Sequence, residues 1–177
     1  MKKSIVVYYS NNGSNKYLAN RIAHELNCPI EELKPSPANY LLLLTGLIFK
    51  NKKISRDFSQ FDQVILCGPV WTGKFIAPLR HFVQKNIKNI KELVYVTCCG
   101  SSYDKKDEKF GHGLVFQQLK EQYPEKIIHC EAFPITLVLP KEQWDQGEIV
   151  MKTRLNDENF QGEILDRFNN MITKLSA

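Results

Sequence analysis

The sequence predicts a doubly wound α/β fold: a five-stranded parallel sheet with helices on both faces. Three observations carry this. Short apolar, β-branched runs alternate with segments whose apolar residues recur at helical spacing. The central runs are continuously apolar rather than alternating, as in strands covered on both faces. Polar or glycine-bearing loops follow three of the runs, at the strand ends where doubly wound sheets bind ligands.

The first strand is Ser4 to Tyr9, and it stops abruptly at Ser10-Asn11-Asn12-Gly13-Ser14-Asn15. A helix follows over Asn15 to Asn27, with Leu18, Ile22 and Leu26 every four residues and Pro29 ending it. Such a turn gathers backbone N–H groups at the positive end of a helix, where a phosphate fits without a lysine. Ser10 to Asn15 are therefore expected to hold a ligand's phosphate.

Pro29 to Leu33 reads as a short second strand, and Lys34 to Pro37 as a break. Asn39 to Lys53, apolar on all sides through Leu41 to Phe49, is expected to be a helix covering one sheet face. A hydrophobic lid over a ligand, a dimer contact or a membrane-surface contact are the functional alternatives. Val64 to Cys67 is the third strand. The loop Gly68 to Lys74 leads to a helix over Phe75 to Asn86, where Pro78 is tolerated because it falls in the first turn. Leu93 to Cys98 is the fourth strand, and Cys99 to Phe110 a polar loop. Gly113 to Tyr123 is a helix and Ile127 to Ala132 the fifth strand. Phe133 to Met151 reads as irregular, with a short extra strand expected at Thr136 to Leu139. A closing helix is expected over Asp157 to Leu175, capped by Asn156 or Asp157, with Phe160, Ile164, Phe168, Met171 and Leu175 on one face.

The chain of 177 residues fits a single domain, 1–177. Five cysteines, several ending apolar runs, suit buried thiols in a reducing compartment better than a disulfide scaffold. Of Cys98 and Cys99, one is expected to be a buried thiol and the other a loop thiol, with an adjacent disulfide the lesser alternative. No Cys/His spacing suggests a metal. No signal peptide is read at the start, and Tyr40 to Phe49 is too short to span a bilayer, so a cytoplasmic protein is expected. The net charge of +5 is spread along the chain, without the clustered basic and aromatic residues of a nucleic-acid surface. His112 reads as a solvated loop histidine, with proton donation to a bound substrate the alternative; His24, His81 and His129 show no partner. Lys105 to Lys109 reads as a solvated charge run.

Other functions on this topology fail by residue. A phosphoacceptor regulator needs acidic residues at the first and third strand ends, where Tyr9-Ser10 and Gly68-Pro69 stand. A small tyrosine phosphatase needs a cysteine in the first loop, and a dinucleotide fold needs GxGxxG where Gly13 stands alone.

Three segments resemble the flavodoxins and flavodoxin-like FMN proteins. Tyr9 to Asn15 is similar to their phosphate loop, whose common form is Ser/Thr-x-Thr-Gly-x-Thr; Asn12 and Asn15 stand where hydroxyl residues are usual. Cys67 to Lys74, followed by Pro78 to Phe82, resembles their second flavin loop, and Thr97 to Tyr103 the third. The resemblance implies strand order 2-1-3-4-5 and FMN as cofactor. It implies Ser10, Asn11, Asn12, Gly13, Ser14 and Asn15 around the phosphate, and Pro69 and Val70 in the second loop. Trp71 and Tyr103 would sandwich the isoalloxazine. Thr72, Gly73, Cys99 and Gly100 would meet its polar edge, with Gly73 letting a peptide reorient near N5. The implied role is electron transfer with a redox partner protein. The alternative is an NAD(P)H-dependent quinone or flavin reductase, toward which the basic charge and Leu41 to Phe49 lean. A module that has lost its flavin is a third option, and a homodimer is possible.

Overall fold

The computed structural model describes residues 2–35 and 51–177. The five expected strands form one parallel sheet: β1 (Ser4–Tyr8), β2 (Ile30–Glu32), β3 (Gln63–Cys67), β6 (Glu92–Cys99) and β7 (Ile127–Pro134). Their order across the sheet is β2-β1-β3-β6-β7. This is the expected 2-1-3-4-5 order of the five; the numbering shifts because β4 (Val70–Trp71) and β5 (Lys74–Phe75) form a separate antiparallel hairpin. Thr72 and Gly73 at its tip have φ of 50° and 68°, the two positive values that a tight two-residue hairpin turn requires.

Helices α1 (Ser14–Glu25), α2 (Ala77–Asn86), α3 (His112–Gln122), the short α4 (Gly147–Lys152) and α5 (Glu163–Ser176) complete the chain. Alternation along each strand decides which helix meets which face. Val6, Ile65, Val94 and Val96 pack with α1 and α5 through Leu18, Ile22, Phe168 and Met171. Ile5, Val64, Leu66, Leu93 and Tyr95 pack on the other face with α2 and α3 through Leu79, Val83, Val115 and Leu119. Both faces are covered, which is why the central runs are continuously apolar. Gln63, a polar residue at the start of β3, is half satisfied inside: its Nε2 donates to Ser4 Oγ and to Leu175 O, both at 2.8 Å, while its buried Oε1 has no hydrogen-bond partner among the described residues.

Several expectations are corrected. The extra strand at Thr136 to Leu139 is a 3-10 turn over Ile135–Val138. Phe75 belongs to the hairpin, so the following helix starts only at Ala77. The closing helix starts at Glu163, after Gly162 at φ 60°. Asn156 is spent on an earlier turn, where its Oδ1 accepts from the N–H groups of Glu158 and Asn159, both at 3.0 Å. Phe160 is buried against Tyr17 and Phe168 ahead of the helix rather than on it. The helix expected over Asn39 to Lys53, including Leu41 to Phe49, lies outside the described residues except at its end. There Asn51 bridges Pro35 in antiparallel fashion and Lys52 N–H donates to Lys34 O at 2.7 Å. No helix among the described residues is long and apolar enough to cross a membrane.

Candidate functional site

Parallel pairing brings the C-terminal ends of β1, β3 and β6 side by side, so the loops after them share one edge of the sheet.

The first loop leaves β1 at Tyr9 and turns at Gly13, whose φ of 96° is a conformation that side-chain-bearing residues rarely adopt. Ser10 Oγ accepts from Gly13 N–H at 3.1 Å, and Asn11 Nδ2 donates to Asn12 Oδ1 at 3.0 Å. Tyr17 N–H makes the first helical bond back to Gly13 O at 2.8 Å. The N–H groups of Ser14, Asn15 and Lys16 thus stand at the start of α1 without an intrahelical acceptor. Ser10, Asn11, Asn12 and Gly13 reach solvent. Ser14 and Asn15 turn inward. Ser14 Oγ accepts from Leu155 N–H at 3.2 Å, and the Asn15 side chain engages Cys98 of β6.

A Cβ at Gly13 would meet nothing within 4 Å, so conformation alone constrains this position. Gly13→Val is therefore expected to cost about 1–2 kcal/mol of stability through backbone strain. Urea unfolding measures this, and an unchanged midpoint would show that the turn does not require φ > 0.

The second loop carries the hairpin. Pro69 is buried and Val70 half-buried. Trp71 is half-buried, packed against Ala77 and set edge-on to Tyr9, with ring centroids 6.4 Å apart at 70°. Thr72 is exposed, and its hydroxyl donates to Trp71 O at 2.7 Å. Gly73 packs against the third loop: a Cβ there would lie 2.4 Å from Lys109 O.

The third loop begins at Cys99, which is the last residue of β6 and buried; the loop thiol expected among Cys98 and Cys99 is absent. All five cysteines are free. Burial pushes the Cys99 thiol up to about 12, so it stays protonated. His112 is also corrected. It opens α3 and is 1% exposed, not solvated. Its Nδ1 lies 2.8 Å from Ser101 Oγ and 3.4 Å from Cys99 Sγ, and burial lowers its pKa. Gly100 has room around it, with Val150 Cγ1 3.5 Å from where a Cβ would be. Tyr103 faces β7: its hydroxyl donates to Ala132 O at 2.5 Å, and the Arg167 guanidinium lies 4.0 Å from its ring centroid. Burial raises its pKa, with Arg167 opposing.

Ser10 to Asn15, Trp71 to Gly73 and Cys99 to Gly100 are thus carried on adjacent strand ends, whereas Tyr103 is already engaged on the β7 side. Sequence reasoning missed Arg167, Glu131 and Leu155, because all three reach the loops from elements distant in sequence. His24 and His129, expected without partners, lie 3.5 Å from Glu25 and 3.3 Å from Glu131. His81 is likewise not isolated. Lys105 to Lys109 are exposed, as expected, and Lys105 pairs with Asp145. Among the described residues no cluster of His, Cys, Asp and Glu is arranged to hold a metal. A cavity of about 580 Å³ lies to one side, between α3 and β7, lined among others by Tyr103, His112, Phe116 and Glu131. Of the residues expected around the cofactor, it includes Tyr103 alone.

A family model described as a flavodoxin domain matches residues 46–151. No curated protein matches the chain in sequence. Among solved structures, the chain is similar to a flavoprotein from Lactobacillus acidophilus crystallised in complex with FMN. Identity is 17%, the TM-score is 0.60, and the match covers 84% of this chain and 99% of that one. It is similar to a flavodoxin from Streptococcus pneumonia TIGR4 at 12% identity and TM-score 0.54, over 98% of this chain and 97% of that one. It is also similar to an NAD(P)H:quinone oxidoreductase from Methanothermobacter marburgensis, at 10% identity and TM-score 0.53, over 100% of this chain and 98% of that one.

Proposed function

We propose, from the premise that the chain belongs to the flavodoxin domain family, that it binds FMN at the C-terminal ends of β1, β3 and β6 and acts in electron transfer. The observation that carries this is the first loop. A positive-φ glycine delivers the chain into α1, so that the N–H groups of Ser14, Asn15 and Lys16 stand at the helix start without an intrahelical acceptor, next to the half-buried Ser10 and the exposed Asn11 and Asn12. This donor set fits a phosphate without any basic side chain.

The remaining roles follow from what each side chain has free. Ser10 donates through its hydroxyl, and Asn11 and Asn12 through their amides. Ser14 and Asn15 contribute backbone N–H groups, because their side chains are engaged elsewhere. Trp71 offers a half-buried indole as a stacking surface for a flat ring. Pro69, Val70, Thr72, Gly73, Cys99 and Gly100 form the surrounding edge, where backbone groups meet the polar atoms of the ring. Tyr103 would bring an aromatic ring to the flavin from the β7 side, where its hydroxyl holds Ala132 O and Arg167 lies over its ring. FMN, when bound, supplies the redox chemistry, and the protein binds it, orients it and shields it from water.

Two observations favour the second reading, an NAD(P)H-dependent quinone or flavin reductase. The chain carries a net charge of +5, suited to an anionic nicotinamide donor. It is also similar over its whole length to the NAD(P)H:quinone oxidoreductase from Methanothermobacter marburgensis.

The test is the visible spectrum of the purified protein with added FMN, followed anaerobically by NADH and NADPH. Flavin bands that bleach with a nicotinamide make it a reductase. Bands that bleach only with dithionite or a partner reductase make it a carrier, and no bound flavin overturns both. Trp71→Ala is expected to weaken FMN binding by about 1–3 kcal/mol through lost stacking and burial. Unchanged affinity in a fluorescence titration would assign Trp71 to packing against Ala77 alone.

A further inference from the structure

We infer that Asn15 is a positioning residue which fixes the phosphate loop by completing the sheet, and does not contact the phosphate through its side chain. The inference rests on the FMN reading above and goes beyond it.

β3 and β6 pair in register as far as Cys67 and Val96. One further bond, from Gly68 N–H to Val96 O at 3.0 Å, closes the ladder. The chain then turns away at Gly68-Pro69, and Gly68 O is taken by the Tyr95 hydroxyl at 3.0 Å. β6 continues to Cys99. Cys98 is thus left with an N–H and a C=O that β3 no longer reaches, in a buried place where an unpaired backbone group costs as much as a lost hydrogen bond.

Asn15 supplies both partners. Its Oδ1 accepts from Cys98 N–H at 2.8 Å and its Nδ2 donates to Cys98 O at 3.1 Å. Its own carbonyl accepts from Cys67 Sγ at 3.3 Å. A carboxamide is the side chain that carries a donor and an acceptor side by side, as a strand's backbone does. A hydroxyl at this position lacks that side-by-side pair. Asn15 is 5% exposed and spends its amide here. The consequence is mechanical: the second residue of α1 is bolted to the end of β6, which sets where the N–H groups of Ser14, Asn15 and Lys16 stand. Ser14 adds a second tie, to Leu155. In this loop the phosphate is held by main chain and by Ser10, Asn11 and Asn12, while the two residues on the helix side are braces.

FMN and riboflavin differ by the phosphate alone, so their affinity ratio reads the loop and not the fold. In Asn15→Ala, FMN affinity is expected to fall about tenfold or more while riboflavin affinity changes less than about threefold. An unchanged ratio overturns the inference. If that variant does not fold, the wild-type protein decides by NMR titration with FMN. The backbone N–H signals of Ser14, Asn15 and Lys16 should shift, while the Asn15 side-chain amide stays protected from exchange and unmoved. Side-chain signals that move with the backbone ones overturn the brace. Wild-type protein that binds FMN no better than riboflavin overturns the phosphate-loop reading itself, a separate failure.

Discussion

Replacing Arg167 with alanine is expected to cost about 3 kcal/mol of stability at neutral pH. The reason lies in what the guanidinium leaves behind. Glu131 on β7 is 14% exposed at its side chain, with Arg167 Nη1 3.0 Å from Oε1 and His129 Nε2 3.3 Å from Oε2. Burial pushes the Glu131 carboxyl up, but the hydrogen bonds from His129 and Arg167 outweigh it and hold it below the usual carboxylate range. The sign is that of a depressed acid: the unfolded chain binds the proton more readily than the folded one. Glu131 therefore contributes stability above its unfolded pKa, and that stability is lost as pH falls through the folded value. Without Arg167 the carboxylate keeps only His129, and Glu163, 4.0 Å from Arg167, loses its partner. Burial then dominates, the carboxyl pKa rises, and the contribution changes sign. The difference between wild type and Arg167→Ala should be largest near pH 7 and shrink toward about pH 4, where the carboxyl is protonated in the variant. Urea unfolding at the two pH values measures this, and an equal loss at both would mean that packing on Tyr103, not charge, was removed.

The same residue shows why part of the site was hidden in the sequence. Continuous apolar runs such as Val64 to Cys67 and periodic residues such as Leu18 and Ile22 report burial directly, so strands, helices and their order were readable. The turn at Ser10 to Gly13 was readable because a strand, a glycine and a helix start are local signals. The contacts of Tyr103 were not. Its aromatic ring beside a strand end suits a stacking role, but Arg167, more than sixty residues later, and Ala132 on the edge strand take it up. The side-chain contacts of Asn15 were hidden for the same reason. An amide next to a glycine turn reads as a ligand donor, and only the register of β3 against β6 reveals an unpaired Cys98 for it to satisfy. His112 reads as solvated between two glycines. Those glycines let the loop fold tightly over it: a Cβ at Gly111 would lie 1.8 Å from Lys106 O. The start of α5 was misplaced because Asn156 carries a cap signal that a preceding turn uses. The contacts of Tyr103 and Asn15 lie with partners remote in sequence, while the strands, the helices and the first turn follow from burial or local signals.

Gly73→Val is expected to cost about 2–3 kcal/mol and to disturb the ring-binding side of the cleft, for two additive reasons. At φ 68° a β-branched residue is strained, as it is at Gly13 with φ 96°. Unlike Gly13, Gly73 also has no room: its Cβ would stand 2.4 Å from Lys109 O and 3.1 Å from Phe110 Cα, both backbone atoms that cannot rotate away. Either the hairpin opens or the third loop retreats. Opening the hairpin moves Trp71, whose partner across the ladder is Lys74, away from Tyr9 and Ala77. The comparison with Gly13→Val isolates the crowding, since both variants pay for backbone strain and one alone pays for contact. The two also divide by ligand. Gly13→Val perturbs the phosphate turn and should lower FMN affinity more than riboflavin affinity. Gly73→Val perturbs the surface under the flat ring, which both flavins share, and should lower the two equally. Near-UV circular dichroism should report the displaced Trp71 in Gly73→Val and stay unchanged in Gly13→Val. A Gly73→Val protein with wild-type stability would mean that the third loop moves freely, and the hairpin would then be no fixed wall of the site.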